Sequence, residues 1–341
     1  MNVLVIGLGP IGMLLAAGFI RSGHRVACFW RSGLVPENGF RVEGSLGSIQ
    51  VRPATWVTSF ADISGKHFDL VVVATKAFAN ETLAQDLFAN RISTNALFFA
   101  QNGLIAKNYF DRYQCPHIIS SISTAGMRLA RDHSLVTGVF GPSYFGVDTG
   151  TLDPDLIKSL NMSFISIGMD LSYHENISEK ICNKLVINVA LNGLSALLGA
   201  PVGQLMKNAH SRKVVLGLAS EAVEILRRKM PQCTVMSVDE FERLLRQSPV
   251  DEHFPSMYQD IISGRTTEAD VIYGVLIEYA KDLGLGCGHL ENIYSMIKAR
   301  EAFASTKFSP VSFGDVEKRT KSYRRGLTPS KAEREVRQKY N

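Results

Sequence analysis

The stretch NVLVIGLGPIG, residues 2–12, decides how the rest of the chain is read. Residues 2–7 form a short apolar run without helical period, the pattern of a strand buried on both faces of a parallel sheet. Gly7-Leu8-Gly9-Pro10-Ile11-Gly12 then spells G-x-G-x-x-G, and an apolar helix from about Ile11 to Ser22 follows, ending at Gly23. Arg25–Trp30 is a second strand. Strand, glycine turn, helix and strand within about thirty residues make a βαβ unit. In that context Gly7 permits the tight turn, Gly9 lets backbone approach a pyrophosphate, and Gly12 allows close packing of helix on strand. With Leu8, Pro10 and Ile11 these glycines form a loop whose free N–H groups and positive helix end face phosphates. The bland alternative is a structural turn with no ligand.

Further along, residues 40–57 alternate around glycines and predict a small hairpin insertion. Phe68–Thr75, Ala96–Ala100 and Ile118–Ser121 read as further buried strands, and Ser134–Val147 as a closing hairpin. Strands alternate with helical stretches to about residue 168, as in a doubly wound α/β sheet. After Met169 helical periods take over: Glu179–Leu198, Ser211–Met230, Val238–Gln247, Pro255–Ile262, Thr267–Leu283 and Leu290–Ala304. The expected organisation is a dinucleotide-binding domain over residues 1–170, an all-helical substrate and catalytic domain over 171–304, and a basic extension over 305–341.

Composition narrows the classes. The 341 residues are 45% hydrophobic and 20% charged, ordinary for a soluble protein of about two domains. The net charge of +5 is uneven: residues 317–341 hold nine Lys/Arg and three Asp/Glu, leaving 28 basic against 29 acidic groups elsewhere. The basic cluster Lys318, Arg319, Lys321, Arg324 and Arg325 has only Tyr323 interleaved and no recognition fold around it, so a solvated extension or a strap on a partner subunit is preferred to nucleic-acid binding. Five scattered cysteines without C-x-x-C spacing read as free thiols in a reducing, cytoplasmic compartment. The apolar start lacks a basic leader and is broken by glycines, and no uncharged apolar run of about twenty residues is found, so neither a secretion signal nor a membrane span is expected. The dispersed histidines give no metal constellation. The helical part offers enough apolar surface for a homodimer.

The residues after the second strand, Phe29-Trp30-Arg31-Ser32, carry no acid to hold ribose hydroxyls. Arg31 can offer a planar fork to a 2′-phosphate, with Ser32 beside it, so NADP(H) is preferred to NAD(H). An ordinary solvated arginine is the alternative.

These motifs resemble the ketopantoate reductase (2-dehydropantoate 2-reductase) family. The resemblance runs to about residue 304 and is carried by GLGPIG, by the WR after the second strand, and by ATKAF at 74–78. It continues in QNG at 101–103, NKLVINVALNGLSAL at 183–197 and PSMYQDIISGRTTEADVIYG at 255–274. It implies a Rossmann domain joined to a helical domain like the C-terminal domain of 6-phosphogluconate dehydrogenase. The implied activity is NADPH-dependent reduction of 2-dehydropantoate to (R)-pantoate, in pantothenate and coenzyme A biosynthesis. Lys184 resembles the catalytic lysine and Glu268 the active-site carboxylate. Asn188 and Asn192 resemble the asparagines that hold substrate, and Ser256 the serine that binds its carboxylate. Lys76 and Asn102 resemble the polar pair facing the nicotinamide. The chain departs from the usual family pattern at Ile181-Cys182, Leu104-Ile105 and Gly286-Cys287-Gly288, none of which removes a catalytic side chain.

The residues themselves are consistent with that chemistry. Reducing a ketone leaves negative charge on oxygen, which calls for a donor aimed at that oxygen. Lys184, Asn188 and Asn192 recur at i, i+4 and i+8, one face of an otherwise apolar helix. Burial there depresses a lysine pKa toward neutrality; the alternative is a lysine snorkelling to solvent. Glu268, after Thr266-Thr267, reads either as a helix-dipole acid or as a carboxylate reaching substrate or Lys184. Ser256 reads equally as a cap. Lys76 and Asn102 lie just beyond predicted parallel strands, where ligand crevices open. Two rival functions stand beside the leading one: reduction of a different branched 2-oxo acid, and a non-catalytic NADPH sensor.

Overall fold

The computed structural model describes residues 1–31, 35–36, 38–44, 47–104, 107–113, 115–124, 126–130, 134–138, 140–147, 150–247 and 252–305. Ser32 and the basic tail from residue 306 lie outside them. The strand β1 (Asn2–Ile6), the helix α1 (Pro10–Arg21) and β2 (Arg25–Phe29) make the first βαβ unit. β3 (Phe40–Gly44) and β4 (Gly47–Val51) form an antiparallel hairpin, and β5 (Thr55–Val57) returns to lie parallel to β2. β6 (His67–Val73), α2 (Asn80–Ala89), β7 (Ser93–Phe99) and β8 (His117–Ile122) follow. β9 (Met127–Leu129), β10 (Leu135–Thr137), β11 (Ser143–Val147), α3 (Pro154–Ile165) and β12 (Leu171–Tyr173) complete this half.

One eight-stranded sheet has the order β12-β11-β8-β7-β6-β1-β2-β5, and a four-stranded sheet the order β4-β3-β10-β9. The missing alternation in residues 2–7 is explained by burial on both sides. Val3 and Val5 enter the layer built with α1 and α3, while Leu4 and Ile6 enter the one built with Leu83 and Leu87 of α2. β1 is flanked by β2 and β6, so the chain leaves it in opposite directions and a crevice opens at the carboxyl ends of β1 and β6.

Two expectations are corrected. Ser134–Val147 is not a hairpin: β10 pairs with β3 and β9 in the small sheet, whereas β11 pairs antiparallel with β8 in the large one. Leu135 is fully buried in the same core cluster as Phe40 and Val42. Burial on β3 therefore outweighs local pairing across a connection that contains Gly138 and the donor-less Pro142. Likewise the 40–57 hairpin ends at Val51, because β5 extends the large sheet.

The second half is helical: α4 (Ile177–Leu198), α5 (Val202–Lys207), α6 (Ala209–Lys229), α7 (Val238–Gln247), α8 (Ser256–Ile262), α9 (Val275–Leu283) and α10 (Gly288–Ser305). α4 begins two residues before its predicted start, where the Asn176 side chain accepts the Glu179 N–H at 3.2 Å and caps it. The stretch predicted as one helix over 267–283 is instead a π turn, Asp270–Gly274, running into α9. α4 is long and apolar enough to cross a bilayer by length and composition, but 61% of its most apolar window is buried inside the molecule. It packs on α6, α8 and α10 and also meets β8 and β11 of the sheet half. The axis of the helical half thus abuts the carboxyl edge of the sheet.

The glycine turn yields a contrast in stability. A Cβ on Gly12 would collide with the Gly7 carbonyl oxygen, whereas one on Gly9 would meet nothing within 4 Å. Gly12→Ala is expected to cost about 2 kcal/mol or more and Gly9→Ala only a few tenths, measured by urea unfolding; equal costs would contradict this packing.

Candidate active site

The site is assembled from positions just past the ends of parallel strands. Gly7 follows β1, Lys76 lies three residues beyond β6, Asn102 three beyond β7, and Ser123 directly after β8. Gly7 has φ +96, and a Cβ there would sit 2.5 Å from the Thr75 backbone nitrogen, so only glycine lets β1 turn this close to the end of β6. Gly9 is the cap residue of α1 and provides no side-chain hydrogen bond. Leu8, Gly9, Pro10 and Ile11 all keep some exposed surface. A helix end with uncapped N–H groups and open space where a side chain would stand fits a phosphate-bearing dinucleotide. Arg31, exposed beyond β2, stands where such a ligand's adenosine end would lie.

Across this crevice runs a chain of hydrogen-bonded side chains. Lys184 Nζ donates to Asn102 Oδ1 at 2.9 Å and to the Ser123 carbonyl at 2.6 Å. Asn102 Nδ2 donates to Glu268 Oε2 at 3.0 Å. Lys76 Nζ donates to the same oxygen at 3.2 Å and to Asp260 Oδ2 at 2.8 Å. Arg265 closes the chain through Nε to Asp260 Oδ1 at 3.0 Å. Glu268 and Asp260 are both buried, at 7% and 4% exposure, and buried carboxylates persist as anions only when paired in this way.

The two lysines respond oppositely. Desolvation lowers the pKa of Lys184 to about 8, with the charge of Glu268 opposing the shift. Burial also works against the charge of Lys76, but Glu268 and Asp260 beside it more than compensate, and its pKa is raised. An ammonium has three donors. Two of those on Lys184 are engaged, which leaves one for a ligand.

Asn188 and Asn192 share the Lys184 face of α4; Asn192 is buried and Asn188 half-buried, and neither side-chain amide has a hydrogen-bond partner among the described residues. Ser256 is exposed at the first position of α8, with Pro255 in the cap position, so it is not the cap that its place after Pro255 allowed. It lies one turn from Asp260 on the same helical face. Glu268 does not act as a first-turn cap either, since its carboxylate is turned to Lys76 and Asn102. The backbone there is held from elsewhere: the Thr267 N–H donates to Glu301 Oε1 at 2.7 Å. Sequence reasoning missed Asp260, Arg265 and the Ser123 carbonyl. For Asp260 a signal existed, its i+4 spacing from Ser256; a backbone acceptor such as Ser123 leaves none. Among the described residues no group of three or more His, Cys, Asp or Glu is placed to hold a metal ion.

Comparison with known proteins places the chain. The family model described as ketopantoate reductase PanE/ApbA matches residues 3–148, and its companion for the C terminal matches residues 176–301. The 2-dehydropantoate 2-reductase of Aquifex aeolicus is 27% identical over 312 residues, covering 89% of this chain and 98% of that protein. The crystal structure of the 2-dehydropantoate 2-reductase from Methylococcus capsulatus superposes with a TM-score of 0.78 at 23% identity, covering 90% of this chain and 99% of that one. A ternary structure of D-mandelate dehydrogenase with NADH and anilino(oxo)acetate superposes with a TM-score of 0.76 at 20% identity, covering 89% and 99%.

The depressed Lys184 pKa has a consequence for stability. Between about 8, folded, and 10.5, the ordinary value, the unfolded chain binds the extra proton, so this group's contribution grows with pH there and is lost as pH falls through about 8. Urea unfolding of wild type and Lys184→Met from pH 7 to 10 should show wild type gaining on the variant as pH rises. A difference independent of pH would mean that the amine is solvated.

Proposed function

Because the chain belongs to the ketopantoate reductase family, we propose that it reduces 2-dehydropantoate to (R)-pantoate with NADPH, Lys184 acting as the proton donor. The observation that carries this reading is the amine of half-buried Lys184, held by Asn102 and the Ser123 carbonyl with one donor left over. The bound nicotinamide nucleotide would supply the hydride. A pyridine nucleotide suits the open glycine turn, and a structural neighbour was solved with NADH. The preference for NADPH rests on Arg31, a planar cation in the place where NAD enzymes present an acid.

The roles of the chain's own residues follow from charge. Reduction leaves an alkoxide on the former ketone oxygen, and the free Lys184 donor neutralises that charge as it forms and then transfers its proton. With a pKa of about 8 the amine is protonated at neutral pH and yet gives up its proton more readily than an exposed lysine. Glu268, joined to Lys184 through Asn102, keeps the amine charged before reaction and orients the substrate hydroxyl. Asn188 and Asn192 bring unsatisfied amides to the substrate. Ser256 binds its carboxylate, one turn of α8 from Asp260, whose charge Lys76 and Arg265 neutralise. Lys76 holds Glu268 and Asp260 in place beside the nicotinamide end.

An NADPH-consumption assay with 2-dehydropantoate and a panel of branched 2-oxo acids tests the reading. Lys184→Ala is expected to lower kcat by about 10²–10⁴, and wild-type kcat/KM to fall above about pH 8 as the amine deprotonates. Arg31→Ala should raise KM for NADPH and leave that for NADH unchanged. Turnover of other 2-oxo acids but not of 2-dehydropantoate would reject the substrate; a Lys184→Ala variant as fast as wild type would reject the mechanism.

A further inference from the structure

Among the described residues Tyr273 heads the fully buried side chains in size, and nothing in the chemistry above uses it. Its hydroxyl accepts from the Gly193 N–H at 2.8 Å and donates to the Val189 carbonyl at 3.0 Å. Those two groups are the ends of one i→i+4 rung of α4. The rung is one residue on from Asn188 and Asn192, so it lies about 100° around the helix from the polar face. Gly193 makes the approach possible: a Cβ there would stand 2.6 Å from the Tyr273 hydroxyl and 2.7 Å from Ile293 and Ile297. A phenol buried this deeply needs partners for its O–H. Here both are backbone groups of the helix that carries Lys184.

The segment that delivers Tyr273 is the π turn that starts two residues after Glu268, with the Val275 N–H bonded back to Asp270 O. One short segment thus sends Glu268, ahead of the turn, to the cleft and Tyr273, within it, into α4. Asp270 steadies the turn from outside, accepting from Tyr294 Oη at 2.8 Å and pairing with Lys298 Nζ at 3.3 Å.

We propose that Tyr273 is a positioning residue: by gripping both ends of the Val189–Gly193 rung from the turn that follows Glu268, it sets the spacing and rotation of Asn188 and Asn192 against Glu268. The inference rests on the reading of Asn188 and Asn192 as substrate-binding groups. Asn102 ties α4 to Glu268 across the cleft from the sheet half; Tyr273 ties the same two elements from within the helical half, independently of any contact across the cleft.

Tyr273→Phe keeps the ring and removes both hydrogen bonds, and Gly193→Ala keeps the tyrosine but displaces its hydroxyl. With active sites counted by NADPH binding, each variant is expected to raise KM for 2-dehydropantoate about tenfold, as loss of the substrate contacts of Asn188 and Asn192 does. KM for NADPH and the basic limb of the kcat profile, which reports Lys184, should stay within about twofold. Kinetics equal to wild type in either folded variant would overturn the inference. So would a fall in kcat per active site with both KM values unchanged, or equal rises in both. Should Tyr273→Phe fail to fold, Gly193→Ala decides alone. A wild type without turnover on any 2-oxo acid would remove the functional reading and this inference together; an active wild type matched by the variants removes this inference only.

Discussion

One carboxylate serves two lysines here, directly for Lys76 and through an amide group for Lys184. Lys76 touches Glu268 directly at 3.2 Å, and its pKa is raised. Lys184 reaches the same Glu268 oxygen only through Asn102, whose Oδ1 accepts from the amine while its Nδ2 donates to the carboxylate. Its pKa is lowered to about 8, because desolvation is then the larger effect. Coulomb attraction falls with distance and desolvation does not, so a lysine paired directly with both Glu268 and Asp260 keeps its charge firmly, while one separated from Glu268 by a neutral amide and without a second carboxylate is poised to release a proton. A direct Lys184–Glu268 ion pair would have been a sturdier contact and a poorer acid.

That arrangement ties the two halves of the molecule together. Asn102 comes from the sheet half, Lys184 and Glu268 from the helical half, and Gly103 beside Asn102 sets how closely they meet. Gly103 has φ +81, and a Cβ on it would collide with the Val271 carbonyl oxygen, which instead accepts the Leu104 N–H at 3.3 Å. The loop carrying the amide is therefore seated on the π turn that follows the carboxylate. The glycine in QNG serves this close approach as the glycines of the first turn serve theirs.

How far the sequence could be read follows from what kind of interaction each feature depends on. Local features were legible: the two-faced burial of β1 is written in its unbroken apolar run, the three glycines in their spacing, and the Lys184–Asn188–Asn192 face in a period of four. Features set by competition between distant partners were not. β10 left its expected hairpin because Leu135 is buried on β3, and a local pattern does not announce that competitor. The Ser123 carbonyl that holds Lys184 has no residue-type signal at all. Glu268 after two threonines looked like a helix-dipole acid, and only the position of Lys76, 192 residues away in sequence, shows that its carboxylate has other work. The π turn is likewise hidden, since VIYG continues a helical period without a break.

The polar face of α4 shows why a folding argument and a functional one diverge at this place. α4 is otherwise apolar and lies in the middle of the helical core, so each polar group on it must be satisfied or must weaken the fold. Lys184 is satisfied by acceptors from the other half, and the Val189–Gly193 rung is doubly satisfied by Tyr273. Asn188 and Asn192, between these two anchors, have no partner for their amides among the described residues, although Asn192 is buried. Apolar side chains of the same size would have stabilised the helix better. The two amides open to solvent at neighbouring positions on one face, with rigid attachments on either side, a pattern expected where the hydrogen bonds are kept for a bound molecule.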